Sequence, residues 1–524
     1  MRRRMLAALG LAWGCRVDTV GELEFDEPET TQLRAVELVP FAERSTPELI
    51  RIESMLRRHL GVLAGPHFDG RRPGSDDARQ VVNFIVSELT DSGVQPAAPN
   101  GGWLQSVPLQ VVSSSGELRL RTATELTAVE GVRLARTVDS GPFEVALPLV
   151  DVDYGVTAPE WGVDDYAGRE ITGRAVLARI GVPIGRTEDS SYAGMDYKVE
   201  RAQRAGARAA LVSIEGQRGV SFDALARRFA EPRVFAGARG EPLPTSIDVF
   251  GILDAAAAEQ LREASTVAGT MVELDVDTEI TQWDDANVIG RVAGAQRPEQ
   301  SVVVVAHWDA GGHAAAAGAG AGAEDNAAGV AIALAMADRA VQWTLAGRRP
   351  LRSIVFVLTA DGSLGPYGVE RYLAGGVADR KNVAAVIVLS GFDLHDSSAH
   401  LVAIGAERSS LDVTLTNAFD GGIARELAGT RFDNPEREAL DAAGLVTLAL
   451  TRRSEAGALV DGPFAASTNL KALASTTDSI FDLVWQLADE PGIPVRVEAA
   501  DDDDKPSDGT AVLARPSDGI DQPP

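Results

Sequence analysis

Cysteine, lysine and long apolar runs are scarce in this sequence. The 524 residues include one cysteine, Cys15, so no disulfide bond can form within the chain. After Cys15, no apolar run approaches the ~18 residues that a membrane-spanning helix needs. Only four of the basic residues are lysine, and this bias indicates no particular function. The sequence therefore excludes a disulfide-stapled domain and an internal membrane span.

Acidic residues outnumber basic ones by 76 to 49, and the formal net charge is −27. A surface of this charge repels nucleic acid and anionic membranes, so neither is expected as a partner. Hydrophobic residues make up 45% of the chain, which is enough for sizeable cores. A chain of this length is expected to form about two to four domains.

The N-terminus has the pattern of an export signal. Three arginines, Arg2–Arg4, precede the short apolar run Met5–Gly14, and Cys15 follows. This order is typical of a secretory signal, and a sole cysteine at this place resembles the lipidated residue of a bacterial lipoprotein. An ordinary cleaved signal and a chance apolar start are the alternatives. We predict an exported protein (periplasmic, lipid-anchored or extracellular) whose only membrane contact is a lipid anchor at Cys15.

A strand, a loop and a helix in the second half of the chain place together residues that suit a metal ion. The β-branched run Val302–Val305 predicts a buried strand, and His307 and Asp309 follow at its end. Residues two apart in a strand point to the same side. Ligands of open α/β sheets bind at such strand ends, and an imidazole oriented by a carboxylate suits a divalent metal. The loop ends in Asp325 and Asn326, either of which can cap the following helix.

These residues resemble the motif of the di-zinc aminopeptidase and glutamate carboxypeptidase family. In that family a strand ends in His-x-Asp, and a loop then leads to Gly-Ala-x-Asp-Asn-x-x-Gly. The matching segments here are His307–Asp309 and Gly322–Gly329. The resemblance implies zinc as the cofactor, with His307 as a ligand of one ion, Asp325 as a bridge between two ions, and Asp309 as the group that supports His307.

The resemblance extends over most of the chain, from about Pro47 to Glu490. A β-rich, glycine-rich stretch from about Glu144 to Glu279 resembles a protease-associated domain, a small module expected to cover or shape the cleft. The remaining pattern alternates helices and strands. The predicted elements are helices at Pro47–Leu63, Ala78–Thr90, Ala327–Arg339 and Ser479–Ala488, and strands at Gly102–Leu109, Ser301–Ala306, Ser353–Thr359 and Val383–Leu389.

We therefore predict an α/β fold, with a mostly parallel twisted sheet flanked by helices and an inserted small β-rich protease-associated domain. The predicted order is a signal or lipoprotein signal at 1–15, an acidic tether at 16–44, the N-terminal part of the peptidase-like domain at 45–143, the protease-associated domain at 144–280, the main peptidase-like domain at 281–490, and a disordered acidic tail at 491–524.

Four positions that carry the family's chemistry are replaced here. Gly362 stands in the place of the general-base glutamate, Ser363 and Ser390 in the places of two acidic ligands, and Ala474 in the place of the last ligand histidine. The last histidine of the chain is His400, so this final loss does not depend on the exact alignment. Hydrolysis at a metal site needs a carboxylate that deprotonates the bound water. We expect only a remnant metal site of low occupancy.

Two functions are therefore compatible with the sequence. The replacements favour a non-catalytic homologue that binds a peptide or protein in its cleft. The alternative is an active zinc exopeptidase in which other residues complete the site. The candidate substitutes are Asp361, Asp393, His313, His395 and His400, and each histidine is otherwise a solvated loop residue.

The N-terminal pattern leads to a prediction about export. The variant Cys15→Ser should lose membrane association while its folded part stays in the soluble fraction, because the lipid would have no attachment site. Cell fractionation and mass spectrometry of the N-terminus measure this. A wild-type protein that fractionates with the cytosol and keeps Met1 would show that the segment is not a signal.

Overall fold

A computed structural model describes residues 47–65, 68, 71, 73–136, 139–186, 192–214, 221–230, 232–237, 247–310, 326–376, 380–396, 398–419, 423–428, 434–453 and 468–497. The predicted signal and tether, the end of the predicted tail, Asp325 and His313 lie outside these residues. No helix within the described ranges is long and apolar enough to cross a membrane.

The helices lie in three stretches of the sequence, 47–92, 195–265 and 328–489. They are α1 Pro47–Leu63, α2 Asp76–Ser92, α3 Met195–Arg204, α4 Phe222–Phe229, α5 Ala255–Ser265, α6 Ala328–Leu345, α7 Tyr367–Ala374, α8 Leu411–Ala418, α9 Pro435–Ala442 and α10 Leu470–Asp489. Short 3-10 turns occur at Pro159–Trp161, Arg380–Asn382 and Ala406–Arg408.

The strands range from two to 22 residues. They are β1 Gln95–Pro96, β2 Leu104–Arg121, β3 Leu126–Val129, β4 Val132–Ala135, β5 Gly141–Asp151, β6 Thr157–Ala158, β7 Val163–Asp164, β8 Ala175–Arg179, β9 Ala209–Ser213, β10 Arg233–Ala236, β11 Val249–Leu253, β12 Met271–Val292, β13 Arg297–His307, β14 Arg352–Thr359, β15 Val383–Phe392, β16 His400–Ile404, β17 Ala424–Glu426 and β18 Thr447–Arg453.

The main sheet has a parallel centre. Strands β14, β13, β15 and β18 are parallel neighbours in that order, and β12 and β16 border them in antiparallel pairing. The four valines of β13 divide between the two faces: Val302 and Val304 pack in one core cluster, Val303 and Val305 in another. This alternation is the period of two that a strand imposes. The first cluster includes residues of α1, α2, α6 and α10, and the second includes residues of α7 and α9. The predicted α/β class is confirmed.

A smaller module has its own sheet and its own core. Strands β5, β8, β9 and β11 are parallel neighbours, and β4 closes the edge in antiparallel pairing with β11. Two clusters of buried side chains belong to this module. Its strands begin with β3 and β4, so the module's sheet includes residues before the predicted boundary at 144. The long strands β2 and β12 pair antiparallel over their length and join the module to the main sheet.

Several local expectations differ from the structure: β2 continues past Leu109 to Arg121, and α6 continues past Arg339 to Leu345. The last helix begins at Leu470 rather than Ser479, because the Asn469 side chain accepts the Ala472 N–H at 3.2 Å and caps a helix that starts earlier. Asn326 does not cap α6. Its side-chain amide donates to the backbone carbonyl of His307 instead, and α6 begins without a side-chain cap.

Candidate functional site

The candidate site lies where the parallel strands end. His307 is the last residue of β13 and lies opposite Thr359, the last residue of β14. Both side chains are buried. The backbone of these strand ends is fixed from two directions: the indole N–H of Trp308 donates to the carbonyl of Ala286, and the guanidinium of Arg71 donates to the carbonyl of Trp308 at 2.8 Å. The site is therefore held in place by the N-terminal helices as well as by the sheet.

Asp309 connects the end of β13 to the loop that follows β14. The Nδ1 atom of His307 lies 3.3 Å from Oδ1 of Asp309 and 3.1 Å from its carbonyl oxygen. The same carboxylate accepts the N–H groups of Gly362 at 2.9 Å and Ser363 at 3.0 Å. Burial raises the pKa of Asp309, but hydrogen bonding and charge from His307, with further bonds from Ser363, lower it more, so the net pKa is lowered.

Gly362 has no room for a side chain. A Cβ atom added to this residue would lie 2.3 Å from Cβ and 2.5 Å from Cγ of His307. The imidazole therefore packs directly against the backbone at the position where the family has its general base. A glutamate at this position requires His307 to leave its present place.

The other replaced positions have also acquired different roles. The hydroxyl of Ser363 donates to Asp309, so this side chain belongs to the loop's own bonding. Ser390, near the end of β15, is half-buried. Ala474 lies inside α10 and packs in the core of the main sheet.

Asp361 is a strained and fully buried acid in the same loop. Its backbone is left-handed, with φ of 62°, and its side chain has no exposed surface. Neither carboxyl oxygen accepts a hydrogen bond from a donor in the described part of the chain. Burial raises its pKa well above the ordinary value, and the charges of Asp285 and Asp309 raise it further. Asp285, whose charge contributes to this raised pKa, itself accepts the N–H of Gly74 at 2.7 Å.

Glu436 is a site residue that the sequence did not indicate. It lies in the first turn of α9, where an acidic residue is usually exposed and interacts with the helix dipole. Here it is buried, and its Oε1 accepts the hydroxyl of Thr359 at 2.6 Å. Burial raises its pKa, while the charge of His307 and the Thr359 bond lower it. No motif spacing connects Glu436 to β14, so only the fold shows that they meet.

The proposed substitutes occupy other places. Oδ1 of Asp393 accepts the N–H groups of His395 at 2.9 Å and Asp396 at 2.8 Å, and so closes a turn after β15. His400 begins β16, three strands from β13 in the sheet, which corresponds to about 14 Å at ordinary strand spacing. His313 lies outside the described residues.

The described side chains do not fit a zinc centre. Zinc is held by three or four protein ligands. In the ranges that the structure describes, no three His, Cys, Asp or Glu side chains are grouped so that they could hold one ion. The roles of His307 as ligand and Asp325 as bridge stay predictions, since Asp325 is not among the described residues.

A buried polar network fixes the loop that carries Asp361–Ser363. The side-chain amide of Asn287 donates to the carbonyl of Gly368 at 2.8 Å and to Gln105, and its oxygen accepts the N–H of Ala360 at 2.9 Å. The loop is thus tied at both ends to β12. Two of these bonds, to Ala360 and Gly368, are made to backbone groups in the buried interior.

Comparison with known proteins agrees with this architecture. Residues 287–437 match the profile of peptidase family M28. This similarity to peptidase family M28 is limited to the matched segment, which is less than half of the chain. The matched segment contains β13, β14 and β15, and therefore the strand ends that carry His307 and Asp361. No curated protein matches the chain significantly.

Solved structures of similar fold include two aminopeptidases. The aminopeptidase from Aneurinibacillus sp. strain AM-1 is 17% identical, with a TM-score of 0.55 over 88% of this chain and 99% of that protein. The zinc aminopeptidase BSAP from Bacillus subtilis is 15% identical, with a TM-score of 0.50 over 85% and 96%. At these identities the likeness establishes the fold, and the M28 relationship rests on residues 287–437.

The environment of Asp361 predicts how stability depends on pH. Because the pKa of Asp361 is higher in the folded than in the unfolded chain, its contribution to stability falls as pH rises above the unfolded value of about 4. Asp361→Asn keeps the shape, carries no charge and tolerates the left-handed backbone. Its melting temperature should exceed that of the wild type at pH 8, and the gain should shrink toward pH 4.

Asp393→Asn is the matched control for this measurement. Its carboxylate is also buried but accepts two backbone N–H groups, so this variant should show no gain at pH 8. Identical pH dependence of melting in wild type and Asp361→Asn would contradict the assignment.

The contact between Gly362 and His307 predicts a cost for the smallest side chain. Gly362→Ala should lower the free energy of unfolding by about 1–3 kcal/mol, the usual effect of overpacking. Adding His307→Ala should recover part of this loss, since the clashing ring is removed. Gly61→Ala, in α1 with open space around its Cα, should instead stabilise by about 1 kcal/mol. Additive effects of the two site substitutions in denaturant titrations would show that the residues do not touch.

Proposed function

We propose that this chain is a non-catalytic M28 homologue that binds a peptide or protein segment in the cleft at the strand ends. The observation that carries this proposal is the packing of His307 against Gly362. It supports the view that the general-base position has lost both the catalytic side chain and the space that such a side chain needs. The relatives' cleft would then serve for binding alone.

Among the residues that the structure describes, no neighbouring side chain supplies a suitable base. A general base must be ionised near the working pH and within reach of the water it deprotonates. Asp361 is fully buried, and its raised pKa favours the protonated form. Glu436 is also buried and is bonded to Thr359. The hydroxyl of Ser363 is bonded to Asp309.

Metal retention would be weak by the same reasoning. His307 and Asp325 are the only ligands that the family motif leaves, and two protein ligands fall short of the three or four that hold zinc tightly. When bound, zinc would polarise a carbonyl group and activate water. This chain's own residues instead hold His307 through Asp309 and the backbone of Gly362.

The second candidate is an active zinc exopeptidase. One observation favours it: the buried carboxyl groups of Asp285, Asp361 and Glu436 lie around the His307–Asp309 pair, and a bound cation would compensate their charge. Two related structures are also described as an aminopeptidase and a zinc aminopeptidase. This function requires Asp325 and a base outside the described residues.

Export and the nature of the smaller module belong to the same proposal. The N-terminal pattern supports an extracytoplasmic protein, with or without a lipid at Cys15. The module with its sheet β5-β8-β9-β11-β4 is proposed to be the protease-associated domain, which would shape the cleft and contribute to the choice of ligand.

Metal content and turnover test the catalytic part of the proposal. After dialysis against a chelator, the purified protein should hold far less than two zinc ions per chain. Release of amino acids from peptides and aminoacyl p-nitroanilides should be lower by at least ~10²–10⁴-fold than in a complete family site, because that factor is the usual worth of general acid–base catalysis. Added zinc or cobalt should not restore it. Two tight zinc ions, or robust turnover that His307→Ala abolishes, would establish the enzyme instead.

The binding part needs its own measurement. A fluorescein-labelled peptide pool should bind the intact protein without being cleaved, as followed by polarisation and mass spectrometry. Ser390→Trp, at the strand-end edge, should weaken binding, whereas Val413→Trp, at an exposed position of α8, should not. Equal binding by the two variants, or no binding by the wild type, would refute the proposed role of the cleft.

Gly362→Glu combined with Ser363→Glu should not create activity, since Ser390 and Ala474 remain.

A further inference from the structure

Strand β10 connects the smaller module to the loop of the candidate site. This four-residue strand lies in the stretch between the module's helix α4 and strand β11, yet it pairs antiparallel with β2 at residues 109–112. Its consecutive residues face different cores. Val234 belongs to the main core cluster, while Phe229 and Phe250, which flank Arg233, belong to the module's cluster. The strand therefore contacts both parts of the molecule.

Arg233 anchors this strand in the module. Its guanidinium lies 4.7 Å from the ring centroid of Phe229 and 4.8 Å from that of Phe250, and it donates to the carbonyl of Phe229 at 3.2 Å. The side chain is buried. A desolvated cation near two aromatic rings is attracted to both, so β10 is firmly attached on this side.

Tyr367 attaches the same strand to the site. It is the first residue of α7, five positions after Gly362, and its hydroxyl donates to the carbonyl of Val234 at 2.8 Å. The ring is buried, and Gly365 passes close to it: a Cβ on Gly365 would lie 3.1 Å from the ring. The end of the loop is thus fixed to a residue next to Arg233.

The loop needs this support because its backbone is strained. A left-handed non-glycine residue is strained and persists only where its surroundings hold it, and Asp361 has such a backbone. The main sheet supplies two restraints, Asn287 on Ala360 and Asp309 on the amides of Gly362 and Ser363. Tyr367 supplies a third, through its bond to the carbonyl of Val234 in β10.

We propose that β10 is a strut through which the smaller module sets the conformation of the site loop 361–366, with Tyr367 and Arg233 as positioning residues. The inference does not depend on whether the cleft binds or cleaves its ligand, because it concerns the order of the loop itself.

Hydrogen exchange of the full-length protein, followed by mass spectrometry, tests the strut. Tyr367→Phe removes the bond to Val234 and keeps the ring. The amides of Gly362 and Ser363 should then exchange about 5- to 30-fold faster, the factor that corresponds to 1–2 kcal/mol, while amides of β13 and β15 keep their wild-type rates. Arg233→Met should accelerate the same two amides, and Arg233→Lys, which keeps the cation, should recover part of the protection.

Tyr372→Phe is the matched control. Tyr372 lies in the same helix and is equally buried, but its hydroxyl has no hydrogen-bond partner in the described part of the chain. Its removal should leave exchange at Gly362 and Ser363 unchanged. Equal rates in Tyr367→Phe and Tyr372→Phe would overturn the proposal. So would uniform acceleration across the main sheet, which would indicate general destabilisation rather than loss of a specific restraint.

Discussion

The carboxylate of Asp309 is the group on which the strand-end region depends. It orients the His307 ring on one side and accepts two consecutive amide N–H groups of the β14 loop on the other. In a metal site a carboxylate behind a histidine serves mainly the ligand. Here the same group also sets the loop's path, because it brings Gly362 against the ring. The Asp309 carboxylate thus orients the imidazole and also holds the loop so close to the ring that no side chain fits at Gly362.

The buried acids around this anion have to be compensated within the protein. Asp309 has His307 and several N–H donors, so its ionised form is favoured. Asp361 and Glu436 have fewer such donors. Burial raises the pKa of both carboxyl groups, which favours their neutral forms. The acids of this region therefore differ in the direction of their pKa shifts: the pKa of Asp309 is lowered, whereas burial raises those of Asp361, Glu436 and Asp285. A catalytic zinc site distributes charge differently, since a divalent ion would favour ionisation of all its neighbours.

Much of the fold could be predicted from the sequence, and less of the site. The valine run of β13 and the alternation of strands with helices were sufficient for the α/β class, because burial on both faces leaves a continuous apolar pattern. The sequence predicts too late a start for α10, because the residues around Asn469 do not indicate that its side chain caps the helix. Glu436 was missed because it reaches the site only through packing of α9. The contact between Gly362 and His307 could not be foreseen either: sequence shows a missing side chain but not what fills its place.

The paired strands β2 and β12 have a consequence for how the molecule folds. Leu109 and Val111 pack in the main core, while Leu118 and Leu120 of the same strand pack in the module's core. A one-residue slip in register would turn both sets of side chains to the wrong faces at once. The register of the β2–β12 pair therefore has to satisfy both cores at the same time. Because the paired residues lie more than 140 positions apart in sequence, closing this ribbon is a high-contact-order event, and the two cores should form as one cooperative unit.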